Sequence, residues 1–112
     1  MPIYLVRHAD AGSRAQWAGD DDLRPLSETG RRQAAHLCEL LAGQPIGRII
    51  SSPSRRCVET LVPLAGELGL PIEEADELAE GGDGEAALRY LLDRADENPV
   101  ACSHGDVIPK VL

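Results

Sequence analysis

The chain has 112 residues and a formal net charge of −8, which fits one domain with a modest core and disfavours a nucleic-acid partner, since such partners normally require a basic face. No basic segment followed by an apolar stretch opens the sequence, so we expect neither a signal peptide nor a membrane span and place the protein in the cytoplasm. The three cysteines lack C-x-x-C spacing, which predicts reduced core thiols and no zinc site.

Strands alternate with helical patterns along the chain, which is typical of an α/β fold with a mostly parallel central sheet flanked by helices on both faces. The first strand is predicted over Pro2 to Val6, and a long loop then reaches Pro25. The first helix should begin at Ser27, a suitable N-cap, and end before Gly43. Its predicted apolar stripe consists of Ala34, Leu37, Cys38, Leu40 and Leu41.

The second half of the chain repeats this alternation. A strand over Arg48 to Ser51 precedes a second helix, in which Pro63 implies a kink or an early break. An extended run from Pro71 to Glu74 leads through an acidic loop to a third helix over Glu85 to Ala95, and Pro99 to Cys102 forms the last strand. The buried sides of these two helices are predicted to carry Val58, Leu61, Leu64, Ala65 and Leu68, and Ala87, Leu88, Leu91 and Leu92.

Polar segments follow three of the predicted strands. They are Arg7-His8-Ala9, Ser52-Pro53-Ser54-Arg55-Arg56 and Ser103-His104-Gly105. Because the carboxyl ends of parallel strands meet at one edge of a sheet, where open α/β folds bind ligands, these segments should lie together. Two histidines and at least two arginines at one edge indicate a site for a phosphate group.

The three motifs resemble those of the histidine phosphatase superfamily, also called the phosphoglycerate mutase-like family. Its R-H-G signature corresponds to Arg7-His8-Ala9, its S-P-x-x-R-A-x-x-T signature to residues 52–60, and its second-histidine signature to Ser103-His104-Gly105. The resemblance implies a single domain over residues 1–112. Because members usually continue beyond the second histidine with a helix and often another strand, the chain is expected to be C-terminally short, and an uncovered sheet edge favours a homo-oligomer.

The resemblance also assigns roles to individual residues. His8 corresponds to the nucleophile, while Arg7, Arg56 and His104 correspond to residues that hold the phosphoryl oxygens. Gly105 is expected to let the backbone approach the substrate. Arg55, next to Arg56, is interpreted as a solvent-facing helix residue. Alanine replaces the family's glycine at position 9, which would carry strain if that position requires a positive φ.

The general acid is less clearly marked. Many relatives use a glutamate in an L-x-E segment, and Leu78-Ala79-Glu80 has that spacing. The short phosphohistidine phosphatases of the SixA type look similar here, including a pair like Gly82-Asp83, yet they do not use this acid. Glu80 is therefore a candidate acid, with a solvated acidic loop as the alternative and Asp10 as a lesser candidate.

The sequence thus predicts a metal-independent, cofactor-free hydrolase that acts through a phosphohistidine intermediate on His8. A SixA-like protein phosphohistidine phosphatase is preferred, because the domain is short and has no large insertion. The alternatives are a small-molecule phosphomonoesterase, a phosphoglycerate mutase-like enzyme, and an inactive module that binds a phosphorylated ligand. The expected partner is a phosphorylated protein or a small phosphorylated metabolite.

Overall fold

The computed structural model describes residues 2–105 and 108, and within them a four-stranded parallel sheet forms the centre of the fold. The strands are β1 (Tyr4–Arg7), β2 (Arg48–Ser51), β3 (Ile72–Glu74) and β4 (Pro99–Ser103), and their spatial order is β1-β4-β2-β3. The helices are α1 (Glu28–Leu41), α2 (Arg55–Leu68) and α3 (Gly84–Leu92). The predicted α/β class with a parallel sheet is confirmed.

Alternate residues of the central strands point to opposite faces of the sheet and build two cores. On one face, Ile49 and Val100 pack with α2, and α1 packs against the same cluster through Leu37 and Leu41. On the other face, Ile50 and Ala101 pack with residues of α3 and of the segment after β3, including Leu78, Ala87 and Leu91. Helices therefore cover both faces, as the sequence predicts.

The ends of α1 and α2 follow local sequence rules. The Ser27 hydroxyl accepts a hydrogen bond from the Gly30 N–H at 3.0 Å and caps α1, as predicted. Helix α2 ends at Gly69, whose φ of 67° lies in the left-handed region that glycine adopts without a steric penalty. None of the described helices combines the length and apolarity needed to cross a bilayer.

Three local predictions are wrong. Leu40 and Leu92 are 60% and 57% exposed, because each lies about 100° around its helix from the centre of the buried stripe. Of the two outcomes predicted for Pro63, the early break is wrong, since α2 continues from Arg55 to Leu68, and the kink stays a prediction. Burial of Leu61 and Leu64 on either side of the proline holds both halves of the helix against the sheet. Helix α3 is also shorter than predicted, since it ends at Leu92.

The sequence predicts that Val111 and Leu112 lie one turn into a helix that follows the last strand. Both residues lie outside the part of the chain that the structure describes.

Two glycines on neighbouring helices should respond oppositely to substitution. A Cβ at Gly30 would overlap the backbone carbonyl of Asp10, whereas a Cβ at Gly66 meets open space. We expect Gly30→Ala to lower the free energy of unfolding by at least about 2 kcal/mol through this clash. Gly66→Ala should raise it by about 0.5–1 kcal/mol through better helix propensity. Urea unfolding of the two variants checks the prediction, and equal effects would contradict it.

Candidate functional site

The candidate site lies at the carboxyl edge formed by β1, β4 and β2. Arg7 is the partner of Ser103 in the parallel register, and Ser51 is the partner of Cys102. The backbone N–H of His8 donates to the Ser103 carbonyl at 3.1 Å, so the polar residues that follow the strands are held side by side. The structure thus brings together the three motifs that the sequence predicts at one sheet edge.

The imidazole of His8 is oriented by its own backbone neighbour. Its Nδ1 lies 2.8 Å from the carbonyl oxygen of Ala9, and because a carbonyl can only accept, Nδ1 carries the proton. This leaves Nε2 with a free lone pair. The Ala9 N–H in turn donates to Thr60 Oγ1 at 3.0 Å. Among the described non-glycine residues Asn98 has a positive φ and Ala9 does not, so the alanine at position 9 is unstrained.

The electrostatic surroundings also favour a neutral His8. Partial burial is the largest influence and lowers the pKa of this imidazole, while the hydrogen bond to Ala9 opposes the shift. The interaction with Cys57 also raises the pKa, whereas the charges of Arg56 and His104 lower it. The net direction is downward, so the imidazole stays unprotonated to a lower pH than an ordinary histidine. An unprotonated Nε2 is the state that nucleophilic attack requires.

The second histidine lies beneath the first. His104 is 1% exposed, and its ring centroid is 5.5 Å from that of His8 in an edge-to-face arrangement. Its Nε2 is 2.8 Å from Ser52 Oγ, and its Nδ1 faces Arg56 Nη2 at 3.5 Å and Glu80 Oε2 at 3.6 Å. His104 is therefore fixed from one side by the second motif and presents its other nitrogen to the charged groups of the site.

Arg56 is the most enclosed charged group of the site. Its side chain is completely buried, and it donates to the Asp21 carbonyl through Nη1 at 2.7 Å. Its Nη2 lies 3.2 Å from both Asp21 Oδ2 and Glu80 Oε2. Arg55 instead points outward and pairs with Glu59 at 2.7 Å, so the choice of Arg56 over Arg55 as the inward residue agrees with the structure.

Arg7 and Gly105 are adjacent at the edge of the site. A Cβ at Gly105 would lie 3.1 Å from the Arg7 guanidinium carbon. The glycine therefore leaves room for an arginine side chain, in addition to any approach of its backbone to a ligand.

A cleft of about 940 Å³ opens beside these groups. Its lining includes Arg7, His8, Arg14, Glu80, Gly81 and Gly105. Glu80, the acid of the L-x-E segment, lies in a loop with a side chain that is 36% exposed, and its carboxylate lines this cleft. Arg14 Nη2 donates to Glu80 Oε1 at 2.6 Å across the cleft.

Sequence reasoning missed two charged residues of the site. Arg14 and Asp21 both lie in the long loop between β1 and α1, where no periodicity or motif marks them. The one feature of the sequence that could indicate them is the number of charged residues in the loop that directly follows the Arg7-His8 motif. Thr60 was part of a recognised motif, but its role as the acceptor for the Ala9 N–H was not anticipated.

Other polar or reactive side chains of the chain lie apart from the cleft or have structural partners. His36 is exposed on α1, 3.7 Å from Glu39. The Asp10 carboxylate accepts a hydrogen bond from the Ser27 hydroxyl, which is the main reason that its pKa is lowered and that it is poorly suited to donate a proton. The Trp17 indole donates to the Asp20 carbonyl at 2.9 Å. Cys38, Cys57 and Cys102 are free thiols.

Metal-ligating residues are not clustered in the described part of the chain. No group of three or more His, Cys, Asp or Glu side chains in residues 2–105 is arranged to hold a metal ion.

Comparison with known proteins agrees with this geometry. The model of the histidine phosphatase superfamily (branch 1) matches residues 3–87. The structure of the protein histidine phosphatase SixA complexed with tungstate superposes with a TM-score of 0.84 and 29% identity, covering 99% of this chain and 74% of that chain.

Two curated relatives are mycobacterial phosphatases. The 8-oxo-(d)GTP phosphatase of Mycolicibacterium smegmatis is 37% identical over 115 residues, which cover 98% of this chain and 36% of that protein. The glucosyl-3-phosphoglycerate phosphatase of Mycolicibacterium vanbaalenii is 34% identical over 99 residues, which cover 83% of this chain and 43% of that protein. The chain therefore spans less than half the length of these two relatives.

Proposed function

Because this chain belongs to the histidine phosphatase superfamily, we propose that it hydrolyses a phosphorylated substrate through a covalent intermediate on His8. The single observation that carries the proposal is the 2.8 Å contact between His8 Nδ1 and the Ala9 carbonyl. It fixes the tautomer in which Nε2 is free to attack phosphorus. The lowered pKa of His8 keeps that nitrogen unprotonated at neutral pH.

In the first step, Nε2 of His8 forms a bond to phosphorus and the bond from phosphorus to the leaving group breaks. The negative charge on the three phosphoryl oxygens requires fixed donors. Arg7, Arg56 and His104 supply guanidinium and imidazole N–H groups at the same sheet edge. In the second step a water oxygen attacks phosphorus, the P–Nε2 bond breaks, and inorganic phosphate leaves with His8 restored. Neither step requires a metal ion.

Phosphohistidine on a protein is the substrate class that we prefer. Its leaving imidazole is a good leaving group once protonated, so little acid catalysis is needed from the site. The cleft beside His8 is open and wide enough to admit a side chain presented by another protein. The likeness to SixA, described as a protein histidine phosphatase, supports the same class.

A small phosphomonoester is the second candidate, and the position of Glu80 favours it. An alkoxide leaving group must receive a proton, and Glu80 lines the cleft 3.6 Å from His104. The two mycobacterial relatives are described as phosphatases of small molecules. In this scheme Glu80, which pairs with Arg14 and Arg56, must take up a proton in the substrate complex, give it to the leaving oxygen, and then accept one from the attacking water.

The experiment that separates the two candidates measures hydrolysis of a phosphohistidine-bearing protein and of an alkyl phosphate, both in EDTA. We expect Glu80→Gln to leave phosphohistidine hydrolysis within about threefold of the wild type, and to lower any alkyl phosphate hydrolysis by about 100-fold or more. Glu77→Gln, an exposed acid in the same segment, is the matched control. A higher kcat/KM for the alkyl phosphate would favour the second candidate, and loss of both activities in EDTA would contradict a metal-free mechanism.

A further inference from the structure

Arg56 of the candidate site is paired with carboxylates of the chain itself. Asp21 and Glu80 each place an oxygen 3.2 Å from Nη2 of Arg56, and the Asp21 carbonyl accepts from Nη1. Because the Arg56 side chain has no exposed surface, an incoming phosphoryl group cannot reach this guanidinium while both carboxylates stay in place. Binding at Arg56 is therefore an exchange of one anion for another.

Asp21 is the better defined of the two carboxylates. Its Oδ1 accepts from Arg24 Nε at 3.0 Å, and its Oδ2 lies 3.4 Å from Arg14 Nη2. Burial raises the pKa of Asp21, but the hydrogen bond from Arg24 and the charges of Arg56, Arg24 and Arg14 outweigh it, so the net shift is downward. The group is thus an anion near neutral pH, and three arginines hold it at the site.

The internal carboxylates do not satisfy Arg56 fully. Within the described part of the chain, the buried Nε of Arg56 has no hydrogen-bond partner. An unsatisfied buried N–H is costly, particularly in a charged group. A phosphoryl group, with three acceptor oxygens, can offer Arg56 acceptors beyond those that the carboxylates provide.

We propose that Asp21 is an internal competitor of the phosphoryl group for Arg56, and that it sets both the affinity for substrate and the release of phosphate. This inference rests on the proposed function. When product phosphate leaves, a buried guanidinium without an anion would be strongly disfavoured. The return of the Asp21 carboxylate removes that penalty and so promotes release. The same carboxylate weakens binding of any ligand that cannot displace it.

The alternative is that Asp21 only orients Arg56. The two roles predict opposite effects on phosphate affinity when the charge of Asp21 is removed. A competitor that loses its charge allows phosphate to bind more tightly, whereas loss of an orienting group makes phosphate bind more weakly. The affinity for the inorganic ion therefore decides between them without reference to turnover.

The test is isothermal titration of inorganic phosphate into the wild-type chain, Asp21→Asn and Asp21→Ala. Removal of a full charge next to a buried guanidinium is expected to tighten phosphate binding roughly tenfold in both variants. Turnover by Asp21→Asn should also become more sensitive to inhibition by product phosphate. Asp96→Asn, which removes the same charge at an exposed position after α3, should leave the affinity unchanged. A thermal melt of each variant confirms that it is folded.

The outcomes separate the inference from the proposed function. If the wild type binds phosphate and the Asp21 variants bind it equally or more weakly, the inference is overturned while the proposed function stands. If none of these proteins binds phosphate, the phosphate pocket of the proposed function fails, and the inference fails with it. Tighter binding by the two Asp21 variants, but not by Asp96→Asn, supports the competitor.

Discussion

Replacing His8 with alanine is expected to lower kcat for every hydrolysed phosphate substrate by about four orders of magnitude or more. The reason is chemical, because Nε2 of His8 is the atom that we propose bonds to phosphorus. The neighbouring His104 is almost completely buried and is directed toward Arg56 and Glu80, so it is poorly placed to replace His8 as the nucleophile. Steady-state rates in EDTA measure the effect.

Two further variants make this prediction specific. His8→Asn retains an amide N–H that can donate to the Ala9 carbonyl, so it should fold like the wild type and be as inactive as His8→Ala. His36→Ala removes an exposed histidine on α1 and should leave the rate unchanged. Phosphohistidine is hydrolysed in acid but survives in alkali, so the phosphorylated intermediate is sought after the reaction is stopped with alkali. Activity of His8→Asn within tenfold of the wild type would rule out a covalent intermediate on His8.

Site residues that directly follow a strand can be predicted from the sequence, because the strand fixes their position in the fold. His8 and His104 each follow a buried strand directly, and β1 and β4 are parallel neighbours. Strand order and register then determine where these side chains lie. The choice between Arg55 and Arg56 is equally predictable, since neighbouring residues on a helix lie about 100° apart and only one of them can face the sheet edge.

Loop residues of the site are harder to predict. Arg14 and Asp21 belong to a long connection that contains two short 3₁₀ turns, Arg14–Gln16 and Asp21–Leu23. No hydrophobic period fixes the direction of side chains in such a segment. The position of Glu80 is hard to predict for the same reason, because five residues separate it from the end of β3 and three separate it from the start of α3. Only tertiary contacts place these charges around Arg56.

Arg56→Met should combine a large loss of activity with a large loss of stability. The substitution removes a completely buried guanidinium and leaves Arg14, which is largely exposed, as the arginine shared by the Asp21 and Glu80 carboxylates. Removing one member of a buried ion pair typically costs 3–5 kcal/mol. Because both carboxylates are partly hydrated, we expect a loss of about 3 kcal/mol in the free energy of unfolding. Loss of a phosphate-binding guanidinium should also lower kcat/KM by about 1,000-fold.

The adjacent arginine provides the matched control. Arg55→Met removes the same charge and a similar side-chain length, but the Arg55 side chain is 52% exposed in its 2.7 Å ion pair with Glu59, whereas that of Arg56 is completely buried. Because a solvated guanidinium gains little from its partner, we expect a loss of less than about 1 kcal/mol and unchanged activity. The arginine-to-methionine change is thus made once inside the site, at Arg56, and once outside it, at Arg55. Urea unfolding and kcat/KM are measured for both variants. Equal effects of the two substitutions would contradict the assignment of Arg56.

A double variant separates the structural and chemical parts of the Arg56 effect. Adding Asp21→Asn to Arg56→Met removes one of the two carboxylates that lose Arg56 as a partner, so part of the lost stability should return, by about 1 kcal/mol. The guanidinium is still absent, so activity should not recover. Partial recovery of stability without activity would assign the instability to the uncompensated carboxylates and the catalytic loss to the missing phosphate-binding group. If the double variant is less stable than Arg56→Met, Asp21 stabilises the fold through Arg24 and Arg14 more than it repels Glu80.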